Sequence, residues 1–133
     1  MKRMRTAIRT GLPPAWMAAL FAASSVPGGI DGAGDAQALS PFAWIAPAAQ
    51  NLLHVPAFGV LAWLWFRALS TRCSPRATLV GGAGLTIAYA ILDEWHQAHV
   101  PGRFSSMTDL LADSLGAFLA AGLYAAMQAR ARR

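Results

Sequence analysis

The chain has 133 residues, of which 56% are hydrophobic and 13% charged, and it carries a net charge of +5. A soluble domain has about 25% charged residues, so this composition is too apolar for a soluble protein and, for the same reason, for a disordered one. The Lys and Arg residues cluster at the two ends and in one linker instead of forming a continuous basic face, which argues against nucleic-acid binding. We therefore predict a single membrane domain over residues 1–133, in contact with the lipid bilayer.

Apolar segments follow one another along the chain at about residues 12–30, 41–66, 77–97 and 108–127. A helix needs roughly 17–25 residues to cross a bilayer. A polar, basic linker at 70–75 and the turn dipeptide Pro101-Gly102 separate the later segments, and a Gly-rich stretch follows the first. The pattern predicts an all-α fold, a four-helix transmembrane bundle. Pro13 and Pro14 fit the first turn of the first helix, where a missing N–H costs nothing.

The positions of Lys and Arg predict the orientation of the bundle. The N-terminal tail, the linker 67–76 and the C-terminal tail are basic, whereas loop 28–41 has no Lys or Arg and loop 98–107 has only Arg103. Because cytoplasmic loops carry an excess of Lys and Arg, both the N- and C-termini should be cytoplasmic. One alternative stays open, since the first segment also resembles a secretory signal peptide. Cleavage near Ala36 would leave three helices and an outside N-terminus.

With this orientation, the polar side chains of all four helices fall near the outer membrane face. An ionisable group in hydrocarbon costs about 2.5–3.5 kcal/mol, which makes each one a functional-site candidate. Helical spacing places Asp93 and Gln97 on one face, and Asp109 and Asp113 on another, which continues to the small residue Gly116. We expect an outward-opening, ligand-binding cavity formed by a polar cluster of Ser25, Asn51, His54, Asp93, Glu94, Gln97, Arg103, Asp109 and Asp113.

Some members of the polar cluster also have a structural interpretation. Asp109 fits the fourth position of a capping box that begins at Ser106, so it can close the start of the last helix. Asp93 and Glu94 can pair with Arg103 as an ion cluster that fixes the outer loop. These interpretations explain single residues, but they do not explain why several costly groups converge at one depth.

One stretch, from Leu92 to Gly116, resembles the signature of the VanZ-like family. The family pattern is approximately D-E-x-x-Q-x-x-x-P-G-R-x-x-S-x-x-D-x-x-x-N-x-x-G. The residues that match it in register are Asp93, Glu94, Gln97, Pro101, Gly102, Arg103, Ser106, Asp109 and Gly116.

Two other parts of the chain agree with this resemblance, and two positions depart from it. Ser24-Ser25 resembles the serine pair that ends the family's first helix, and the segment 51–61 resembles its second helix, which contains a histidine after Asp-Lys. Here Gln and Asn replace that Asp-Lys, and Asp113 stands where the family commonly has Asn. The family is named for a protein associated with resistance to the glycopeptide teicoplanin. The resemblance implies a multi-pass protein of the bacterial cytoplasmic (inner) membrane with a role in the cell envelope, and no particular reaction or resistance phenotype.

These observations support three hypotheses on function. In the first, which we favour, the protein binds a polar or lipid-linked ligand, such as a cell-wall precursor, at its outer face, and Arg103 contacts a phosphate or carboxylate. In the second, it is an intramembrane enzyme acting on a lipid-phosphate head group, in which carboxylates with His54 or His96 bind a divalent cation or act as acid and base. In the third, the polar cluster only holds a helix-interaction protein together. A homo-oligomer is compatible with each hypothesis. We expect no metal and no cofactor: the single cysteine, Cys73, excludes a cysteine-based zinc site, and the spacing of Asp93, His96 and Asp113 is not that of a known metal motif.

Overall fold

The computed structural model describes residues 2–27, 47–103 and 105–132, with side chains for 7–27, 52–103 and 105–132. In these ranges the chain forms four α-helices and no strand: α1 (Lys2–Ser24), α2 (Pro47–Leu69), α3 (Pro75–Gln97) and α4 (Met107–Ala131). The predicted all-α fold with four helices is therefore confirmed. Loop 28–41, the beginning proposed for the second helix, the alternative cleavage site and the Asn51 side chain all lie outside the described residues.

The first helix differs from its prediction at both ends. It begins at Lys2 instead of near residue 12, and it ends at Ser24. Lys, Arg, Met and Ala in the first turns are strong helix formers, so the helix extends through the basic tail. Pro13 and Pro14 consequently lie inside the helix and not in its first turn. An interior proline costs about 3 kcal/mol, but the Pro13 ring is fully buried, which offsets part of that cost.

Three helices of the described part are long and apolar enough to cross a membrane: Leu52–Leu69, Pro75–Gln97 and Met107–Ala131. Their outward faces carry large exposed apolar side chains, such as Val80 and Leu111, which suit contact with lipid. The first helix is not in this set, since it combines basic residues with two prolines and has a lower mean hydropathy. A fourth crossing by α1, and the orientation of the termini, therefore stay predictions.

The second helix is the centre of the bundle, and it packs most extensively on α4. Their backbones meet at two glycines, because a Cβ on Gly116 would overlap the carbonyl oxygen of Val55 and a Cβ on Gly59 would lie 3.3 Å from the Gly116 oxygen. Such small residues let helices in a membrane approach closely. Gly116 thus faces a partner helix, as its position on the stripe with Asp109 and Asp113 predicts.

The helix α1 lies against α2 and α3 and is fastened to them by side chains that donate to backbone. The Trp16 indole nitrogen, on α1, donates to the Ala57 carbonyl at 3.0 Å, and the Tyr89 hydroxyl, on α3, donates to the Met17 carbonyl at 2.7 Å. Tyr89 also packs with Phe58 in the apolar core between these helices. These contacts hold the last third of α1 beside the polar cluster.

Candidate functional site

Within the polar cluster, the base His54 on α2 and the acid Asp113 on α4 contact each other directly. The His54 Nδ1 atom lies 2.9 Å from Asp113 Oδ1, and Asp113 is only 1% exposed. Gly116 lies almost one turn after Asp113, where it admits the α2 backbone at Val55, the neighbour of His54. The glycine contact therefore brings α2 close enough for the carboxylate to reach the ring.

A second buried connection joins the end of α1 to α3. The Ser24 hydroxyl donates to Asp93 Oδ1 at 2.7 Å, and the Gln97 side-chain amide donates to Asp93 Oδ2 at 2.9 Å. All three side chains are buried. Both oxygens of Asp93 are thus hydrogen-bonded, and the contact between Asp93 and Gln97 is the one that their four-residue spacing predicts.

The serine of the pair that reaches Asp93 is Ser24, whereas the predicted polar cluster contains Ser25. The Ser25 hydroxyl lies 3.0 Å from Nε2 of His96, and that ring stacks on Phe21 with its centroid 4.3 Å away. A sequence signal could have separated the two serines. Ser24 continues the buried face of α1 at helical spacing from Leu20, while Ser25 follows Phe21 on a more exposed face.

The side chain of Arg103 binds the end of α1 instead of the acids. Its Nε donates to the Val26 carbonyl at 3.1 Å, its Nη2 to the Ala23 carbonyl at 3.2 Å, and its Nη1 weakly to Gln97 Oε1 at 3.5 Å. Among the described residues Arg103 has no ion pair within 4.0 Å, which contradicts the alternative in which it pairs with Asp93 and Glu94. The last carbonyls of a helix lack intrahelical partners and carry partial negative charge, so they compete well for a guanidinium.

The beginning of α4 is capped by a residue from another helix. Glu94 Oε2, on α3, accepts from the backbone N–H of Ser106 at 2.6 Å, and the Ser106 hydroxyl accepts from the N–H of Thr108 at 3.1 Å. The capping box predicted for Asp109 is therefore wrong, because Glu94 already holds the N–H that Asp109 would bind. A contact between helices of this kind cannot be read from local spacing.

Three buried carboxylates each keep one oxygen without a hydrogen-bond partner in the described part of the chain: Glu94 Oε1, Asp109 Oδ1 and Asp113 Oδ2. Glu94, Asp109 and Asp113 are at least nine-tenths buried and lie within electrostatic range of one another. The same residues form no group of three His, Cys, Asp or Glu side chains that could hold a metal ion. Unpartnered buried oxygens are costly to the fold, so these three acids are destabilising unless protonation or a buried donor satisfies them.

A cavity of about 330 Å³ lies between α1, α2, α3 and Arg103. Its polar side chains lie mostly where α1 and α3 end, beside Ala23 and Leu53, whereas Trp16 and Phe58 lie deeper, about 12 Å from Ser24 and about 6 Å from His54 along their helices. The polar lining consists of Ser24, His54, Asp93, Gln97 and Arg103. The apolar lining consists of Trp16, Ala19, Leu20, Ala23, Leu53, Ala57 and Phe58.

The structure thus divides the predicted polar cluster. His54, Asp93, Gln97 and Arg103 line the cavity. The remaining acids do not line it: Glu94 binds the α4 terminus, Asp113 binds His54, and Asp109 is buried with one oxygen that has no partner in the part that the structure describes. Ser25 contacts His96 instead, and the Asn51 side chain lies outside the described residues. The cavity also uses Ser24 and Trp16, which the predicted cluster does not contain.

Comparison with known proteins gives one match. No curated protein and no solved structure matches the chain significantly. A family profile described as VanZ/LLP1 matches residues 14–128, which includes the second half of α1 and all of α2 and α3. Together with the apolar helices, this match indicates a membrane protein, and the chain belongs to the VanZ/LLP1 family, as its 92–116 signature predicts.

Proposed function

We propose that this protein is a bacterial inner-membrane protein of the cell envelope that binds a lipid-linked polar ligand in the cavity beside Arg103. The observation that supports this most is the division of the cavity into a polar and an apolar part. Its volume of about 330 Å³ lies within the range of small-molecule sites, roughly 300–1,000 Å³. A ligand with an anionic head and an apolar chain matches both parts.

The polar end can bind a phosphate or carboxylate without losing its present contacts. A guanidinium has five N–H donors, and Arg103 uses three of them on Val26, Ala23 and Gln97. The remaining N–H groups are available to an anion. Hydrogen bonds between a guanidinium and an anion are charge-assisted and therefore strong. When its ring is protonated, His54 adds a second donor, because its Nδ1 contacts Asp113 and its other ring nitrogen has no partner among the described residues.

We place the cavity at the outer face of the membrane. This assignment follows from the basic linker and C-terminal tail, which lie at the other ends of the helices and favour the cytoplasm. It also requires α1 to cross the bilayer as a fourth span. A ligand of the outer leaflet, such as a polyprenyl-linked cell-wall precursor, would then reach the cavity from its own side.

The test measures thermal unfolding of the detergent-purified protein with a polyprenyl phosphate, and with the polyprenol that lacks the phosphate. We expect only the phosphate to stabilise the protein, approaching about 2.7 kcal/mol at 100 times its Kd. Ala19→Phe would fill the cavity and abolish this stabilisation, whereas Ala18→Phe, on the neighbouring exposed position outside the cavity, would retain it. Equal stabilisation of both variants would refute the site.

The pairing of His54 with Asp113 favours one alternative, an intramembrane hydrolase acting on a lipid diphosphate. A buried carboxylate on Nδ1 holds an imidazole in the tautomer whose other nitrogen can accept a proton from water. That water would attack the terminal phosphorus, and the lipid monophosphate would leave. Phosphate release from a polyprenyl diphosphate that disappears in His54→Gln, with binding retained, would support catalysis over binding alone.

A further inference from the structure

A second concave region lies at the opposite end of the bundle. A groove of about 510 Å³ runs between α1 and α2, lined by Ile8, Arg9, Leu12, Trp63, Leu64 and Arg67. The helical rise of about 1.5 Å per residue places Arg9 roughly 22 Å from Ser24 along α1, and Arg67 roughly 20 Å from His54 along α2. The groove is therefore separate from the cavity beside Arg103.

The cationic groups of this groove come from two different helices. Arg9 and Arg67 are both exposed, and within the part of the chain that the structure describes neither guanidinium has an ion-pair or side-chain hydrogen-bond partner. A smaller depression of about 260 Å³ shares Arg9, Trp63 and Arg67 and extends to Tyr124 and the end of α4. Two uncompensated guanidiniums that face one groove are suited to a phosphate, which accepts bidentate bonds from Arg.

The remaining lining of the groove argues against a small soluble anion. Ile8 and Leu12 are half-exposed apolar side chains beside Arg9, and Leu64 lies on the facing helix. Trp63 packs edge-on against Tyr124, at a centroid distance of 5.5 Å. Tryptophan and tyrosine are enriched at the level of lipid head groups, and basic pockets between helices on the cytoplasmic side favour anionic lipids.

We propose that Arg9 and Arg67 bind the phosphate of an anionic phospholipid of the cytoplasmic leaflet, with an acyl chain along Ile8, Leu12 and Leu64. The proposal uses the orientation given above, but it does not depend on the ligand of the other cavity. Such a lipid would lie between α1 and α2 and join the two helices on the side away from the polar cluster. The two sites would then take ligands from different leaflets.

The experiment uses native mass spectrometry of the detergent-purified full chain with phosphatidylglycerol or phosphatidylcholine. We expect the wild-type protein to retain phosphatidylglycerol with roughly 10- to 30-fold higher affinity than phosphatidylcholine. The double variant Arg9→Ala/Arg67→Ala should lose this preference. The control Arg72→Ala/Arg76→Ala removes the same charge from exposed positions in the linker and the first turn of α3, outside the groove, and it should keep the preference.

Several outcomes would overturn the proposal. Equal loss in both double variants would show that net charge attracts the lipid without a defined site. Displacement of phosphatidylglycerol by millimolar inorganic phosphate would show a free-anion site. Leu12→Trp keeps both arginines and fills the apolar part of the groove, so unchanged phosphatidylglycerol binding in this variant would exclude the acyl-chain position. Circular dichroism on each variant checks that the helices are intact.

Discussion

The imidazole of His54 on α2 lies 2.9 Å from the carboxylate of Asp113 on α4, and it connects the two helices that pack most extensively in the bundle. In the VanZ-like pattern this position of α4 is commonly Asn, so here an acid replaces an amide against the same kind of histidine. The pair is shielded on the aspartate side and open to the cavity on the histidine side. It therefore serves the fold and the candidate site together, and substitutions can separate these roles.

Replacing Asp113 by Asn should retain the fold, because the amide oxygen can still accept from His54 Nδ1. Asp113→Ala should lower the free energy of unfolding by roughly 1–3 kcal/mol, since it leaves the ring nitrogen without its partner. Chemical or thermal unfolding in detergent measures the difference. If Asn proves as damaging as Ala, the hydrogen bond is not what stabilises the pair.

Adding a methyl group at Gly116 should force α2 and α4 apart, because the new Cβ would meet the Val55 carbonyl, which is backbone and cannot move alone. We expect Gly116→Ala to lose about 1–3 kcal/mol of stability. Gly122→Ala, on the same helix, meets nothing within 4 Å and should gain about 0.5–1 kcal/mol from helix propensity. Thermal unfolding measures both variants, and their changes in stability should have opposite signs.

The two adjacent serines should respond differently to alanine substitution. Ser24→Ala removes a donor from the buried Asp93 carboxylate, and we expect a loss of about 1–3 kcal/mol. Ser25→Ala should cost less than about 1 kcal/mol, because Ser25 is only half-buried. Unfolding midpoints rank the two variants, and the reverse order would contradict a stabilising bond between Ser24 and Asp93.

Arg103 should be more important for the end of α1 than for the acids near it. Arg103→Lys cannot reach two carbonyls and the Gln97 amide at once, because a single ammonium lacks the guanidinium fork. We expect faster hydrogen exchange in the amides of residues 22–26, where α1 ends, while the exchange of the α4 core stays unchanged. Uniform acceleration along the chain would instead indicate general destabilisation.

The orientation can be tested with the natural cysteine, which is exposed in the linker between α2 and α3. A membrane-impermeant maleimide should label Cys73 only after the inner membrane is permeabilised. In the variant Cys73→Ala/Met107→Cys, the new thiol lies at the start of α4, where Met107 is 73% exposed. It should react in spheroplasts whose inner membrane is intact. If Cys73 reacts without permeabilisation and the cysteine at position 107 does not, the orientation is the reverse of the predicted one.

The sequence predicts the helices better than their contacts, and the reason is physical. Apolar length and turn residues locate α2, α3 and α4, because hydrocarbon imposes these features on each span separately. The beginning of α1 is missed because Pro13 and Pro14 resemble a helix start, although both lie inside the helix and Pro13 is buried there. Local signals thus predict helices well wherever local and tertiary preferences agree.

The sequence predicts most residues of the candidate site, but only some of the contacts between them. Depth along each helix brings His54, Asp93, Gln97 and Arg103 to one cavity. The partners of Arg103 are backbone carbonyls, and the cap of α4 comes from Glu94 on another helix. Spacing within one helix contains no information on either contact, and the structure contradicts both alternative interpretations, the ion cluster around Arg103 and the capping box of Asp109.

The attachment of α1 has a consequence for mutational tolerance. Trp16, Tyr89 and Arg103 all donate to main-chain oxygens. A main-chain oxygen is present whichever residue occupies its position, so the accepting residues can be exchanged for others of similar size while the attachment persists. The donors have no such freedom, since no other side chain supplies the same N–H or O–H at that reach. Substitutions should therefore be tolerated at the residues that accept these bonds, and far less at the residues that donate them.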